Sequence, residues 1–310
     1  MKKVLVLHYS QSGQLTEILD RVCGTLVGEG VVLFHYRIRP EPAFPFPWAA
    51  KEFFDTFPET HLQEPCALDL GDDALLHQRY DLIILGYQVW FLTPAIPVNS
   101  FLMHPVAQEL FRETPVVTLV ACRNMWLMAQ EKLKARLEAV KAVHVGHIAL
   151  VDRRINHNSV ITIAHWMFSG KKSRYLGIFP KPGVDEKDIE DSARFGTPIR
   201  RALLGPSFQG LQNELLALGA VRIRAVLMVI DKRGNAIFSK WAPFIKARGP
   251  KGSRARSAWV PVFRCYLNAA IWLLSPVAMV VFVLLWPFTA GRLKRDKAYY
   301  STVRPFAPHE

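Results

Sequence analysis

Ser10, Ser12 and Thr16 set three hydroxyls along the stretch Ser10-Gln11-Ser12-Gly13-Gln14-Leu15-Thr16, which holds a single glycine. Hydroxyls and backbone N–H groups gathered where a helix begins can hold a phosphate, because the free N–H groups point at the anion and the helix dipole favours negative charge there. Capping an ordinary helix needs only one hydroxyl. The glycine spacings that cradle a dinucleotide or a nucleoside triphosphate are absent, which argues against NAD in that mode and against ATP.

Two further stretches carry side chains suited to a ring-shaped ligand. Gln88-Val89-Trp90-Phe91 offers an amide and two aromatic faces, and Cys122-Arg123-Asn124 offers hydrogen-bond donors beside a small residue. Trp90 and Phe91 either flank a ligand or anchor their loop in the core, while Arg123 and Asn124 either bond a ligand carbonyl or cap the next helix. Cys122 reads as a small buried residue, since no His or Asp is tied to it by spacing. His157 and His165 are candidate proton carriers because imidazole titrates near neutrality, although lone histidines are more often structural. Cys23, Cys66, Cys122 and Cys265 show no paired spacing, so no metal site and no disulfide framework are expected.

These residues need a scaffold that brings them together. Val4 to Leu7, Val31 to Phe34, Tyr80 to Gly86, Val116 to Ala121 and His144 to Val151 are short, mostly apolar runs, as strands buried on both faces are. The intervening segments carry helical patterns, among them Leu15, Ile18, Leu19, Val22 and Leu26, then 97–102 and 127–140. The expected fold is α/β, with five parallel strands between two helical layers, and all three chemistry-bearing stretches at the carboxyl ends of strands. Residues 39–66, rich in proline and aromatics, predict a loop with one short helix near 49–57. The last helix of the domain, 185–204 with a break at Pro198, is delayed by an insertion at 152–184 that lies over the ligand end. Domain boundaries follow: 1–204 for the α/β domain, 205–258 for an extension, 259–291 for a hydrophobic segment and 292–310 for a basic tail. Within the extension, 208–219 reads as a short helix, 221–230 as a strand and 231–235 as a turn.

The chain has 310 residues, half of them hydrophobic, and a formal charge of +13. Where that charge lies decides what it means. Six basic residues with no acid fall between Trp241 and Arg264, and a net four fall between Arg292 and Arg304. They flank Cys265 to Phe288, which is 24 residues without a charge. Nucleic acid is therefore not the expected partner; a membrane is. Pro276 sits in the middle of the stretch and both flanks are basic, so a transmembrane span and a re-entrant hairpin with both ends cytoplasmic are both open. Either reading sets the α/β domain beside lipid, near apolar or lipid-like substrates, and the unpaired cysteines place it on the cytoplasmic side of the inner membrane; a buried helix of a soluble protein is the remaining alternative.

The turn Tyr9-Ser10-Gln11-Ser12-Gly13-Gln14 resembles the phosphate loop of flavodoxin-like proteins, which hold FMN. That family usually has a hydroxyl two places after the glycine; here Leu15 stands there and Thr16 follows. The resemblance implies FMN on 10–16, with the loops at 88–91 and 122–124 against the flavin ring. Together with Cys122-Arg123-Asn124-Met125-Trp126 and the hydrophobic C-terminal region, the chain also resembles the dialkylresorcinol condensing enzymes. That resemblance implies a part in making alkylated aromatic lipids beside a ketosynthase. A flavin domain suits aromatisation of a cyclohexanedione better than condensation, with His157 as a base for the departing proton. Rival expectations are a membrane-associated NAD(P)H:quinone reductase and a flavin-free scaffold; a homodimer is left open.

Overall fold

The structure, a computed structural model, describes residues 1–71 and 74–303, so Arg304 and the remainder of the basic tail lie outside the described residues. Five parallel strands form the central sheet: β1 (Lys2–His8), β2 (Val31–Arg37), β3 (Leu82–Tyr87), β4 (Pro115–Cys122) and β5 (Val143–Val151). Their order is β2-β1-β3-β4-β5, with Val4 of β1 level with Leu33 on one side and Leu82 on the other. This is the flavodoxin-like arrangement, and its direction reverses between β1 and β3, where ligands of open α/β sheets bind.

Alternation along the strands feeds two cores. Val4, Val6, Ile84 and Leu119 face α1 (Gln14–Gly24), and Leu5, Leu7, Leu85 and Val120 face the opposite layer. The opposite layer contains α2 (Ile96–Met103), α3 (Pro105–Phe111) and α4 (Leu127–Ala139). Helix α5 (Asn156–Ser169) lies in the predicted insertion; α6 (Gly196–Leu204) and α7 (Leu211–Ala217) complete the layer of α1. Gly86 lets α1 approach the sheet, since a Cβ there would lie 2.6 Å from Leu19 Cδ1. Pro198 falls in the first turn of α6, where a missing N–H costs nothing, so it marks a start rather than a break.

The extension departs from expectation. Residues 225–246 form one helix, α8 (Ala225–Lys246), where the sequence pattern predicts a strand and a turn. Arg222 and Arg224 alternate with apolar neighbours only over the short extended entry; beyond it Ala225, Met228, Phe238, Ala242 and Ile245 recur at helical spacing and are buried. Gly234 is not a turn residue but a place of close contact, because a Cβ there would meet Leu92 Cδ1 at 3.1 Å. Around α8 a third apolar cluster gathers Phe57, Leu92, Phe238, Val260 and Phe263.

The hydrophobic segment belongs to α9 (Arg254–Tyr300), 47 residues long and, by length and composition, apolar enough to cross a membrane. Residues 270–274 form a π-helical turn just before Pro276. There the Ser275 N–H reaches back to the carbonyl of Ala270, and Pro276 has no N–H to offer Ile271.

Candidate functional site

Gly13, at φ +84°, opens α1 from the left-handed region, and no side chain caps the helix. The first N–H groups of α1 are therefore free of a side-chain acceptor, as an anion site requires. Ser10 is fully buried and its Oγ has no hydrogen-bond partner among the described residues. A buried hydroxyl without a partner is costly unless a ligand completes it. Leu15 is fully buried in the α1 core, so the position where a hydroxyl is expected is used for packing. Thr16 Oγ1 lies 3.0 Å from His8 Nε2.

The residues around the turn are tied down from three sides. The Gln11 N–H donates to Gln88 Oε1 at 3.1 Å, and the Gln11 side-chain carbonyl accepts from Trp48 Nε1 at 2.9 Å. Gln14 pairs with the backbone of Val184, donating to its carbonyl at 3.2 Å and accepting from its N–H at 3.0 Å. Arg37 donates to the carbonyl of Ser10 at 3.1 Å, bringing a cation to the turn.

Trp90 and Phe91 are anchored. Trp90 is buried among Tyr9, Phe44 and Trp48, with ring centroids 5.1–5.9 Å away. Phe91 stacks on Phe53 at 4.7 Å, and Val89 pairs with Pro94 in a two-residue hairpin. Arg123 and Asn124 both donate to Asn156 Oδ1, at 2.8 and 2.9 Å. They therefore fasten the first residue of the insertion helix α5 to the end of β4. Burial lowers the Arg123 pKa to about 10 and pushes the Cys122 thiol up, away from the thiolate a nucleophile needs.

His157 sits one residue further along α5. Its Nε2 lies 3.1 Å from the carbonyl of Ile271, which can only accept, so the imidazole donates there. It serves the carbonyl for which Pro276 has no N–H. His165 packs its ring on Tyr175 at 4.6 Å.

A residue that the pattern places in a turn lines a cavity near the sheet's carboxyl edge. Asn124, Trp126, Asp152, Arg224, Met228 and Asp231 are among the walls of a space of about 280 Å³. Asp231 is 1% exposed; its Oδ2 accepts the Leu127 N–H at the start of α4, at 2.9 Å, and its Oδ1 has no hydrogen-bond partner among the described residues. Burial raises its pKa to about 7, against the opposing pull of the Leu127 and Met128 backbone N–H groups and of Lys132 and Arg123. A carboxyl group so held exchanges a proton near neutrality. No local signal marks it in the sequence, since it stands in a run with the composition of a turn.

Burial depresses several histidines, and that fixes a pH dependence. His8 and His61 are lowered to about 4 and His144 to about 3, each mainly by burial. Unfolded chain takes up these protons near pH 6.5 but folded chain does not, so their stabilisation is complete above pH 6.5 and is lost as the pH falls toward 4. Asp231 has the opposite sign, because its folded pKa lies above the unfolded one, but it is one group against four, since burial lowers His147 as well. The urea midpoint should fall between pH 7.5 and pH 5; an unchanged midpoint would contradict these assignments.

No family model matches the chain, and no curated protein does. Among solved structures it is similar to a flavoprotein in complex with FMN from Lactobacillus acidophilus NCFM, with 16% identity over 48% of this chain and 93% of that one, at a TM-score of 0.37. It is similar also to oxidised flavodoxin 1 from Bacillus cereus, with 15% identity over 63% and 95% of the two chains and a TM-score of 0.34. A putative flavoprotein from Bacteroides uniformis ATCC 8492 shows 19% identity over 54% and 97%, with a TM-score of 0.36. Likenesses of this size add nothing to the strand order, which by itself places the chain in the flavodoxin-like fold class.

Proposed function

We propose that the chain is an FMN-dependent oxidoreductase working beside a membrane. The observation that carries this reading is the unpartnered, fully buried Ser10 hydroxyl next to the uncapped start of α1. The phosphate would be held by Ser10, Ser12 and the N–H groups that follow Gly13, with Arg37 nearby. Bound FMN supplies a two-electron acceptor. Ser10→Ala should weaken FMN binding about 10- to 100-fold, the range expected for one hydrogen bond to a charged group. Titration of apoprotein by flavin fluorescence reads that change, and equal affinity for both proteins would argue against the turn as the phosphate site.

For the substrate we propose a cyclohexanedione bearing alkyl chains, of the kind a ketosynthase partner supplies, which becomes a resorcinol by losing one hydride and one proton. The chain's own task is to accept the proton. Asp231 suits it better than His157, whose Nε2 is engaged at Ile271, whereas Asp231 lines a cavity with a free oxygen. Formation of a resorcinol from an alkyl cyclohexanedione by the FMN-loaded chain is the expected result. Rapid quinone reduction by NADPH without any resorcinol would favour a quinone reductase instead. A second reading, a flavin-free scaffold, draws on the rings of Trp48, Phe44 and Phe53 that already meet Trp90 and Phe91.

A further inference from the structure

The two flanks of the apolar segment return to the same body. Before it, Phe263 is fully buried, stacked on Phe57 at 4.0 Å and 5.8 Å from Phe238 of α8. After it, Asp296 pairs with Lys232 of α8 at 3.0 Å, and Tyr299 donates to Glu131 of α4 at 2.7 Å. Leu293 and Tyr300 are buried in the main core. Phe238 and Lys232 are separated by about 9 Å along α8, whereas a straight helix would set Phe263 and Asp296 about 50 Å apart. Contacts through side chains span only part of that difference, so the axis of α9 turns between its flanks. The opened π-turn at 270–274, Pro276 and the His157 bond to Ile271 mark a place where it gives way.

Between the flanks the side chains face outward. Leu273, Val277, Val280, Val283, Leu284 and Phe288 are each 59–86% exposed, far more contiguous apolar surface than water tolerates on a soluble domain. Trp272 and Trp286, aromatic residues of the kind found at lipid headgroup level, are also exposed. Arg264 stands before the segment, and Arg292, Lys294 and Arg295 follow it. A span sets its ends on opposite sides of about 30 Å of hydrocarbon, which one folded domain holding both ends cannot do.

We propose that residues 272–288 insert into one leaflet of an anionic bilayer and return, so that both flanks and the whole α/β domain lie on a single face of the membrane. The basic charge on both sides of the segment, which gives a span no preferred orientation, then forms one cationic rim against anionic headgroups. The inference is independent of the cofactor: a chain without FMN would insert in the same way.

Cysteines added one at a time at the exposed positions Ala258 and Ala298, A258C and A298C, report the two flanks in a background where Cys66, Cys122 and Cys265 are serine and only the buried Cys23 remains. A membrane-impermeant maleimide is applied to membrane vesicles of both orientations from cells producing the full chain. Both positions should be labelled in the same vesicle orientation and neither in the other. Labelling of the two in opposite orientations would establish a span and overturn the proposal, as would recovery of the unmodified chain in the soluble fraction. Val280→Asp combined with Leu284→Asp changes two outward side chains and should move the chain to the soluble fraction with its urea midpoint intact; retention on the membrane would count against insertion.

Discussion

Arg256→Ala should destabilise the protein by about 3–5 kcal/mol, the loss expected when one member of a buried ion network is removed. Arg256 is completely buried at the start of α9. Its Nε donates to Asp55 Oδ1 at 2.6 Å, and its two terminal nitrogens reach the two oxygens of Glu59, each at 2.6 Å. One of them also donates to the carbonyl of Asp55. Asp55 is itself 5% exposed, so truncation leaves an acid with little water and no guanidinium. Lys246 offsets part of the loss at Glu59, which it meets at 3.0 Å, but it makes no bond to Asp55. A urea midpoint unchanged by the substitution would show that α9 is not held to the domain here. Replacing Arg256, Asp55 and Glu59 together by apolar or amide residues should restore much of the stability, because the cost lies in the stranded charges.

Asp231→Asn should lower turnover of an alkyl cyclohexanedione by about 10²–10⁴-fold, the range for loss of a positioned proton acceptor. The amide oxygen can still accept the Leu127 N–H, so the start of α4 remains capped. Stability above pH 7 should rise, because a buried carboxylate is replaced by a neutral group and the folded-state penalty on ionisation disappears. The two readouts separate roles: a residue that only capped α4 would change the melting temperature without removing a limb near pH 7 from the rate profile. FMN affinity should stay as it is, since the turn proposed to hold its phosphate does not include Asp231. Full activity in the variant would return the proton to another group.

The sheet is legible because its strands are buried on both faces and leave uninterrupted apolar runs; Val4 to Leu7 and Leu82 to Leu85 admit few other readings. The turn at 10–16 stands out for a different reason, in that three hydroxyls around one glycine exceed what capping needs. What its pattern hides is which hydroxyl stays free: Thr16 faces His8, while Ser10 is left without a partner.

Elsewhere local signals mislead. Asp231-Lys232-Arg233-Gly234-Asn235 has the composition of a turn, yet it lies inside α8, where Gly234 admits Leu92 and Asp231 points to α4. Both reasons are tertiary, and nothing within five residues announces them. Trp90 and Phe91 show the same limit, since an aromatic residue looks identical in sequence whether its face meets a ligand or Trp48 and Phe53. His157 becomes intelligible only beside the carbonyl that Pro276 strands, more than a hundred residues away in the chain.

The presence of flavin is the direct test of the central claim. The full chain, purified in mild detergent without added cofactor, should carry the visible absorption of an oxidised flavin and release FMN on denaturation in a ratio approaching one per chain. A colourless protein that also leaves the fluorescence of added FMN unquenched would contradict the account and leave the fold as a scaffold.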